Sequence, residues 1–408
     1  MMNWENKKLG DLCKIELGKT PYRKDKSFWD TEKKTENVWL SIADLLNTDG
    51  NVVSDSKEYI TDKATKFSKA VKKGTLLLSF KLTLGRLAFA GRDLFTNEAI
   101  AALTIKNNKE IDKYFLYQFL SFFDWDKAAE GDVKVKGQTL NKAKLREIEV
   151  HFPKSIPEQQ HIVSILDECF SAIERSRNNA AQNLKNAKEL FESYLQEVFT
   201  NKGEDWEEKT LEKIALVFGR GKSKHRPRNW EGLYGGKYPF IQTGDVRNAN
   251  KFIIEYSQTY NEIGLAQSKL WKKGTICITI AANIAETAIL DFDACFPDSI
   301  IGLQVDPKKA DLDFTYYMLQ YLKSELQKLG KGSAQDNINL GTFEYLHFPF
   351  PKSLTEQQRI VRQLDALRVE TQKLETVYQQ KINNLDELKK SILKKAFKGE
   401  LTEKEIAI

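Results

Sequence analysis

The sequence predicts a mixed α/β fold in which one repeat, made of short strands and helices followed by a long helix, occurs twice. The segment that opens at Trp4 recurs at Trp206, 202 residues later. A second segment, Phe-Pro-Lys-Ser with Glu-Gln-Gln behind it, occupies residues 152–160 and recurs at residues 350–358. A chain of 408 residues is long enough for each repeat to bury its own core. The repetition therefore predicts a pseudo-symmetric molecule whose target is itself two-part.

Short strands and turns dominate the first part of each repeat, after an amphipathic opening segment at residues 4–17. Apolar runs bounded by Gly, Asn and Asp predict the strands. These strands are residues 38–42, 76–79, 87–90 and 99–105 in the first repeat, and 238–243, 276–279 and 300–305 in the second. A Lys-Lys-Gly-Thr turn occurs at residues 72–75 and 272–275, and one shorter helix is predicted near residues 113–123 and 314–326.

A heptad pattern predicts that each repeat ends in a long helix. A seam of positions alternately 4 and 3 residues apart runs from Ile360 to Ile392. The matching seam of the first repeat, from Ile162 to Tyr194, has smaller residues, so we expect the two helices to pack on each other. About 40 residues of helix span about 60 Å. The residues expected to carry this packing are Leu166, Ile173, Leu190, Tyr194, Leu364, Leu367, Leu374, Tyr378, Leu388 and Ile392.

These patterns divide the chain into four segments: a domain at residues 1–153, a long helix at 154–201, a second domain at 202–351 and a second long helix at 352–408. The connection at residues 200–205 is short, so we expect it to restrict the position of the second domain. If the two helices are antiparallel, the domains are expected at opposite ends of the helix pair.

Composition favours a cytoplasmic globular protein. Hydrophobic residues make up 41% of the chain and charged residues 29%. No apolar stretch approaches the roughly 20 residues needed to cross a bilayer, and the N-terminus has no secretory h-region. The four Cys residues show no CxxC spacing, which favours reduced thiols over a disulfide framework or a zinc site. A net charge of +6 permits a polyanionic partner without requiring one.

Patterns for catalysis are weak. Two Gly-Lys-Thr/Ser triplets, at residues 18–20 and 221–223, resemble phosphate loops, but Cys13 and Leu216 stand where such a loop needs its first Gly. Asp298, Asp306 and Lys308 resemble the carboxylates and lysine of a metal-dependent nuclease. A turn after a strand explains Asp306 better, because Pro follows it. The four His residues lack metal-ligand spacing. We therefore expect no catalytic residue, no metal site and no cofactor in this chain.

Basic loops at the same place in both repeats favour a nucleic-acid partner. Residues 219–230 contain five cationic residues and no acidic residue, and residues 18–26 are also basic. Arginine suits phosphate oxygens and guanine edges, while lysine supplies unspecific attraction to phosphate. Other loops correspond in position but differ in chemistry, as two readers of different base sequences should. A solvated charged surface and ordinary divergence of loops remain the alternatives.

The candidate DNA-binding residues lie in these loops. In the first repeat they are Lys19, Thr20, Arg23, Lys24, Ser41, Ser79, Lys81, Arg86, Lys134, Lys136 and Gln138. In the second repeat they are Arg220, Lys222, Ser223, Lys224, Arg226, Arg228, Gln242, Thr243, Arg247, Asn283 and Gln335.

The whole chain resembles the specificity subunit of a type I restriction-modification system. The resemblance lies in Trp4 with Leu-Gly-Asp at residues 9–11, in residues 40–44 and 241–245, and in the two Lys-Lys-Gly-Thr turns. The two Glu-Gln-Gln segments that open a long helix complete it. Each motif is weak alone, but their order, repeated twice, is specific.

The resemblance implies a non-catalytic subunit with two target-recognition domains, each with a curved, mostly antiparallel sheet. It implies that each domain reads one half of a bipartite, non-palindromic site in double-stranded DNA, with the helix pair fixing the gap. Two methyltransferase subunits that carry S-adenosylmethionine and methylate adenine would dock on the helices. Restriction subunits would add an ATP-dependent nuclease and translocase, so ATP and Mg²⁺ are also expected on partners. The alternatives are a coiled-coil interaction scaffold without DNA specificity and the metal nuclease described above.

Overall fold

The computed structural model describes residues 4–46, 51–130, 133–134, 137–225, 227, 229–281, 283–331 and 338–401. The first half contains strands β1 (Trp4–Lys8), β2 (Cys13–Leu17), β3 (Val38–Leu40), β4 (Val52–Val53), β5 (Glu58–Tyr59), β6 (Leu76–Ser79), β7 (Lys81–Leu82), β8 (Leu87–Ala90), β9 (Phe95–Thr96), β10 (Ile100–Ile105), β11 (Val133–Lys134), β12 (Gly137–Thr139) and β13 (Glu149–Pro153). Its helices are α1 (Leu9–Leu12), α2 (Ile42–Leu46), α3 (Asp62–Thr65), α4 (Lys113–Phe122), α5 (Trp125–Ala128), α6 (Lys142–Arg146) and the long α7 (Ile156–Thr200).

The second half follows largely the same order. Its strands are β14 (Trp206–Lys209), β15 (Ala215–Arg220), β16 (Tyr234–Phe240), β17 (Phe252–Ile253), β18 (Gln258–Tyr260), β19 (Leu270–Trp271), β20 (Ile276–Thr279), β21 (Thr287–Leu290), β22 (Ala294–Cys295), β23 (Ile300–Val305) and β24 (Phe348–Pro351). Its helices are α8 (Leu211–Ile214), α9 (Thr243–Asn248), α10 (Glu262–Ala266), α11 (Leu312–Lys331), α12 (Leu340–Glu344) and the long α13 (Leu354–Phe397).

A five-stranded sheet forms the centre of each domain. Its strand order is β2-β10-β6-β8-β4 in the first half and β15-β23-β20-β21-β17 in the second. Three of the four strand pairs in each sheet are antiparallel, and only the edge strands β4 and β17 pair in parallel with β8 and β21. A two-stranded antiparallel ribbon, β1-β13 or β14-β24, closes each domain next to the start of a long helix. The predicted class is confirmed: two mixed α/β domains with mostly antiparallel sheets form an internal repeat.

The chain divides into two compact units, the first formed by Met1–Asn179 with Lys381–Ile408 and the second by Ala180–Gln380. In the first unit, residues from the beginning of α7 (Ile162, Leu166) and from the end of α13 (Leu393, Phe397) enter one core. In the second unit, the end of α7 and the beginning of α13 do the same. In both units, segments of the two long helices that are distant in sequence therefore pack into the same core. Each domain core is therefore completed by both long helices.

One glutamine in the first turn of each long helix anchors that helix to its domain. Gln159 and Gln357 are both fully buried. Gln159 Oε1 accepts a hydrogen bond from the Asp112 backbone N–H at 2.7 Å, and Gln357 Oε1 accepts one from the Asp311 N–H at 2.8 Å. Asp112 in turn caps the N-terminus of α4. The amide nitrogens of the two glutamines donate to the carbonyls of Pro153 and Pro351, both at 2.8 Å. These anchor glutamines explain why the Glu-Gln-Gln segment occurs twice.

The Lys-Lys-Gly-Thr turns have one geometry in both domains. Gly74 and Gly274 adopt φ of 81° and 82°, a left-handed conformation that glycine adopts at least cost. Two carboxylates further along the chain, Asp93 and Asp293, hold the turns. Each accepts hydrogen bonds from the side-chain ammonium of the first lysine and from the backbone N–H of the second. The repeated motif is thus a structural turn.

The predicted packing residues of the long helices separate into two groups. Leu166, Ile173 and Leu364 are buried, and Tyr194, Leu367 and Ile392 pack against a core. Tyr378 is half-buried, whereas Leu190, Leu374 and Leu388 are exposed by 49%, 40% and 36%. In α7 the buried positions step from Ala187 to Phe191, Leu195 and Phe199. A straight helix with 3.6 residues per turn drifts by about 20° per heptad from a strict 3.5-residue seam, which places Leu190 outside the contact.

Candidate nucleic-acid interface

In the basic loop of the second unit, defined as residues 219–230, the backbone of residues 222–225 bonds to the residues that follow α10. Gln267 Oε1 accepts the backbone N–H groups of Lys224 and His225 at 2.6 and 3.0 Å. Ser268 Oγ donates to the Lys222 carbonyl at 2.8 Å. The backbone at residues 222–225 is therefore held in place, while the side chains of Lys222 and Lys224 are exposed. Exposed cations on a fixed backbone suit the positioning of a phosphate chain.

Positive charge is concentrated beside this loop. The Lys269 ammonium lies 3.7 Å from the centroid of the Trp271 ring, in a cation–π contact. Burial, and secondly the charge of Lys222, lower the pKa of Lys269. Arg220, at the end of β15, is exposed and donates from Nε to the Asp298 carbonyl at 2.8 Å.

The basic loop of the first unit has a different arrangement. Lys19 and Lys24 are exposed. The Thr20 hydroxyl donates to Glu98. Arg23 forms an ion pair with Glu58, and its guanidinium carbon lies 4.1 Å from the centroid of the Trp29 ring. The arginine that the sequence predicts as a DNA contact is thus held by a carboxylate and an aromatic ring of its own domain, with half of its side-chain surface exposed.

The two Gly-Lys-Thr/Ser triplets are explained by packing. Gly18 donates its N–H to the Ile100 carbonyl and Gly221 donates to the Ile300 carbonyl. A Cβ atom on either glycine would collide with backbone carbonyls, those of Thr96 or Phe296 respectively. Glycine is needed there for close approach of two backbone segments.

A tight turn after β6 and β20 accounts for several predicted contacts. Ser79 is fully buried, and its hydroxyl donates to the Thr83 carbonyl and accepts the Arg86 backbone N–H at 2.9 Å. Thr279 does the same in the second unit, where it accepts the Glu286 backbone N–H at 3.0 Å. Ser79 is therefore placed inside the turn, where its hydroxyl bonds to the turn's own backbone.

The same turn presents exposed and half-buried side chains. In the first unit Arg86 is exposed, and Lys81 is half-buried with its ammonium 5.3 Å from the Phe80 ring centroid. In the second unit Asn283 accepts a hydrogen bond from Arg247 at 3.3 Å. The turn thus presents two cations in one unit, and in the other an amide that bonds to Arg247 of α9.

A cavity of about 550 Å³ in the second unit brings together three predicted residues, Ser223, Gln242 and Thr243. Ser223 is 5% exposed, whereas Gln242 is exposed at the N-cap of α9. The Gln242 amide donates to Gln258 Oε1 at 2.6 Å. Ser41, which holds the equivalent cap position in the first unit, bonds to Asp44 through its hydroxyl and its backbone N–H. The equivalent residues therefore make different contacts.

Four predicted residues, Lys136, Arg226, Arg228 and Gln335, lie outside the described residues. Lys134 and Gln138 belong to the paired strands β11 and β12, of which the backbone alone is described.

Asp306, the central carboxylate of the nuclease hypothesis, has a structural role in the fold. Asp306 Oδ1 accepts the Lys308 backbone N–H at 3.0 Å, and the Asp306 N–H donates to the Ile214 carbonyl at 2.8 Å. The carboxylate therefore closes the turn after β23. In the part of the chain that the structure describes, no group of three or more His, Cys, Asp or Glu side chains is arranged to hold a metal ion. Over the same residues, no helix is long and apolar enough to span a membrane.

A larger cavity of about 650 Å³ beside α13 contains none of the predicted DNA-binding residues. Lys251 lies 2.9 Å from Asp365, and Tyr317 donates to the same carboxylate at 2.5 Å. Burial raises the pKa of Tyr316 to about 12, so this phenol stays neutral. The polar groups here hold the domain to the helix.

Three residues at this surface, Gln258, Asn229 and Gln267, are not among the candidates that the sequence predicts. Gln258 and Asn229 line the smaller cavity, and Gln267 holds the basic loop. One signal for Gln258 exists in the sequence, because alignment of the two halves places it opposite Glu58. Gln267 has no comparable signal, since its contact joins segments that are 43 residues apart.

Comparison with known proteins gives a consistent result. The profile of the type I restriction modification DNA specificity domain matches residues 1–183 and again residues 203–384. The type I restriction enzyme MjaIX specificity subunit of Methanocaldococcus jannaschii is 24% identical over 432 residues, which cover 99% of this chain and 95% of that protein. The putative MjaX specificity subunit of the same organism is 24% identical over 303 residues, 70% of this chain and 68% of its own.

Two solved structures share the fold. A chain from a study of complex assembly and conformational transition of the type I R-M system superposes with a TM-score of 0.79 at 18% identity, covering 98% of this chain and all of that one. The HsdS subunit from Thermoanaerobacter tengcongensis gives a TM-score of 0.63 at 19% identity, with 98% and 97% of the two chains covered.

Proposed function

The chain belongs to the family of the type I restriction modification DNA specificity domain, and from this premise we propose that its two domains read the two halves of a bipartite, non-palindromic DNA site. As a type I specificity subunit it carries the DNA-recognition domains of its system. One observation above all supports the bipartite site: the domains share their internal turns and anchor glutamines, yet present different side chains at corresponding loops. Two domains with one internal framework and different surfaces are suited to two different half-sites.

We further propose that two methyltransferase subunits dock on α7 and α13. Apolar side chains on these helices that the chain's own cores leave exposed support this surface. They are Leu190, Val369, Leu374, Val377 and Leu388. In this assembly S-adenosylmethionine is bound by the methyltransferase subunits, and ATP and Mg²⁺ by restriction subunits, while this chain supplies sequence preference without catalysis.

Methylation-sensitive sequencing of DNA from cells that carry this subunit with its methyltransferase partners tests the proposal. We expect methylated adenines at one bipartite motif with a fixed gap, and loss of that motif when this subunit alone is deleted. Methylation without sequence preference, or unchanged methylation after the deletion, would contradict it and would favour an interaction scaffold.

Binding measurements with the same complex test the basic loop of the second unit. Lys222→Ala and Lys224→Ala are each expected to weaken binding for all sequences and to lower the slope of log affinity against log salt by about 1. Unchanged slopes in both variants would show that this loop does not contact phosphates.

A further inference from the structure

Corresponding strand positions in the two domains carry different side chains. In the first domain Glu58 of β5 lies opposite Trp39 of β3. In the second domain Gln258 of β18 lies opposite Phe240 of β16. Because both pairs occupy the same place in the repeat, they can be compared directly.

In the first domain a side chain of the same domain, Arg23, occupies the position beside Glu58 and Trp39. Arg23 donates from Nη2 to Glu58 Oε2 at 3.1 Å, and Nη1 bonds to the other carboxylate oxygen. The guanidinium carbon lies 4.1 and 4.6 Å from the ring centroids of Trp29 and Trp39. A planar group with hydrogen-bond donors thus stacks on aromatic rings and is bound edge-on by a polar side chain.

In the second domain the same place lines the cavity of about 550 Å³. Gln242 Nε2 donates to Gln258 Oε1 at 2.6 Å. The bond uses one N–H of Gln242 and one lone pair of Gln258, so this amide pair (Gln242 and Gln258) retains donors and acceptors for a ligand. The backbones of both residues are fixed, because Gln242 caps α9 through Asp245 and Gln258 belongs to a strand ladder.

The chemistry of the cavity favours a nucleobase over a phosphate. Asn229, Glu231 and the ring of Tyr234 line it together with the amide pair, and none of the described residues that line it is cationic. A carboxylate repels phosphate, whereas carboxamides bind the edges of bases, and glutamine pairs bidentately with N6 and N7 of adenine.

We propose that Gln258, positioned by Gln242, determines specificity at one base pair of the half-site read by the second domain, and that this pair contains adenine. The inference rests on the proposed function and deepens it. Arg23 is instead a structural residue, so the first domain reads its half-site with other side chains.

The test uses the full-length chain in complex with its methyltransferase subunits, with genomic DNA as the probe and methylation-sensitive sequencing as the readout. Gln258→Ala is expected to reduce discrimination at one base pair of one half-site by about 10- to 100-fold, with the other half-site unchanged. Gln242→Leu is expected to reduce discrimination at the same base pair less strongly. It removes the hydrogen bond that positions Gln258 but leaves the Gln258 amide itself in place.

Gln258→Glu provides a readout that misfolding cannot imitate. A carboxylate accepts a hydrogen bond from cytosine N4, so the preference at this one position is expected to change from an adenine pair to a cytosine pair. Glu58→Gln, the matched change in the first domain, is expected to leave the preference at that position unchanged.

Two results would overturn the inference while the proposed function stands: unchanged preferences in Gln258→Ala, or an equal loss of methylation at all sequences. If the wild-type complex itself shows no bipartite preference, the proposed function fails and the inference fails with it.

Discussion

The anchor glutamines and the strand positions at Glu58 and Gln258 represent two kinds of site in the repeated units. At Gln159 and Gln357 both units use the same residue with the same burial, and each side chain bonds to an aspartate N–H and a proline carbonyl. At Glu58 and Gln258 one unit has a salt bridge to arginine and the other an amide pair at an open cavity. Buried backbone groups need a hydrogen-bonding partner and permit few solutions. Positions facing a cavity are free of that demand, so the difference separates what holds the domains together from what can recognise a partner.

The largest expected difference between the two units concerns the ends of the long helices. Phe397 at the end of α13 packs on Phe115 and Phe119 of the first unit, although the second domain precedes it in sequence. Phe397→Ala is expected to cost the first unit about 3–5 kcal/mol because it empties a buried site. Hydrogen exchange should therefore increase in strands β6, β8 and β10 and stay unchanged in β20, β21 and β23.

The reciprocal variant is Phe199→Ala at the end of α7. Phe199 is fully buried and packs on Trp206, Phe314 and Tyr321. Its loss should increase exchange in the second unit alone. Equal exchange in both units for either variant would show that the two cores unfold as one.

The next effect tests whether the anchor glutamines do equivalent work. Gln159→Leu leaves the Asp112 N–H and the carbonyls of Glu110 and Pro153 without their partner. Gln357→Leu leaves two such groups. We expect losses of about 3 and about 2 kcal/mol in the free energy of unfolding, measured with urea.

The neighbouring residues provide the control for that experiment. Gln160 and Gln358 are exposed, so the same change to Leu is expected to stay within about 0.5 kcal/mol. Similar losses for the buried and exposed glutamines would show that the anchors do not depend on the hydrogen bonds described.

Local signals in the sequence predicted much of the fold. Strands β6, β8 and β20 occupy the predicted ranges, because apolar runs between turn residues report burial directly. The repeated motifs correctly indicated equivalent elements. The exposure of Leu190 was not predictable from a heptad count, since it depends on the true pitch of the helix.

The candidate site was less predictable because its geometry depends on contacts between distant segments. Arg23 and Lys222 are both cations in basic loops, so the sequence alone could not distinguish them. In the fold both side chains are exposed, but Arg23 forms an ion pair with Glu58, 35 residues away, and stacks on the Trp29 ring. Pairings between separate parts of the chain therefore decide which of these cations remains available to a partner.

A smaller effect concerns the cation–π contacts between the long helices within each unit. In the second unit the Arg368 guanidinium carbon lies 4.8 Å from the Phe191 ring centroid, and in the first unit the Lys389 ammonium lies 4.9 Å from that of Phe170. Arg368 is half-buried and also bonds to Asn250. Double-mutant cycles, with Met replacing the cation and Leu the ring, should give coupling of about 1 kcal/mol in the second unit and about 0.5 kcal/mol in the first. Equal coupling energies would show that burial of the arginine adds nothing.

The smallest effect tests whether the Lys-Lys-Gly-Thr turns behave alike in solution. The hydrogen bond from the Lys72 ammonium, and secondly that from the Lys73 N–H, lower the pKa of Asp93 below 3.8, and Lys272 and Lys273 do the same for Asp293. A lowered pKa means that each carboxylate stabilises the fold above its unfolded pKa, and that this contribution is lost as pH falls through the folded pKa. Carboxyl-carbon NMR titrations should therefore place both midpoints below 3.8, and Lys72→Met should raise the Asp93 midpoint without moving that of Asp293. A midpoint at or above 3.8 for one aspartate alone would show that the shared turn geometry does not produce shared electrostatics.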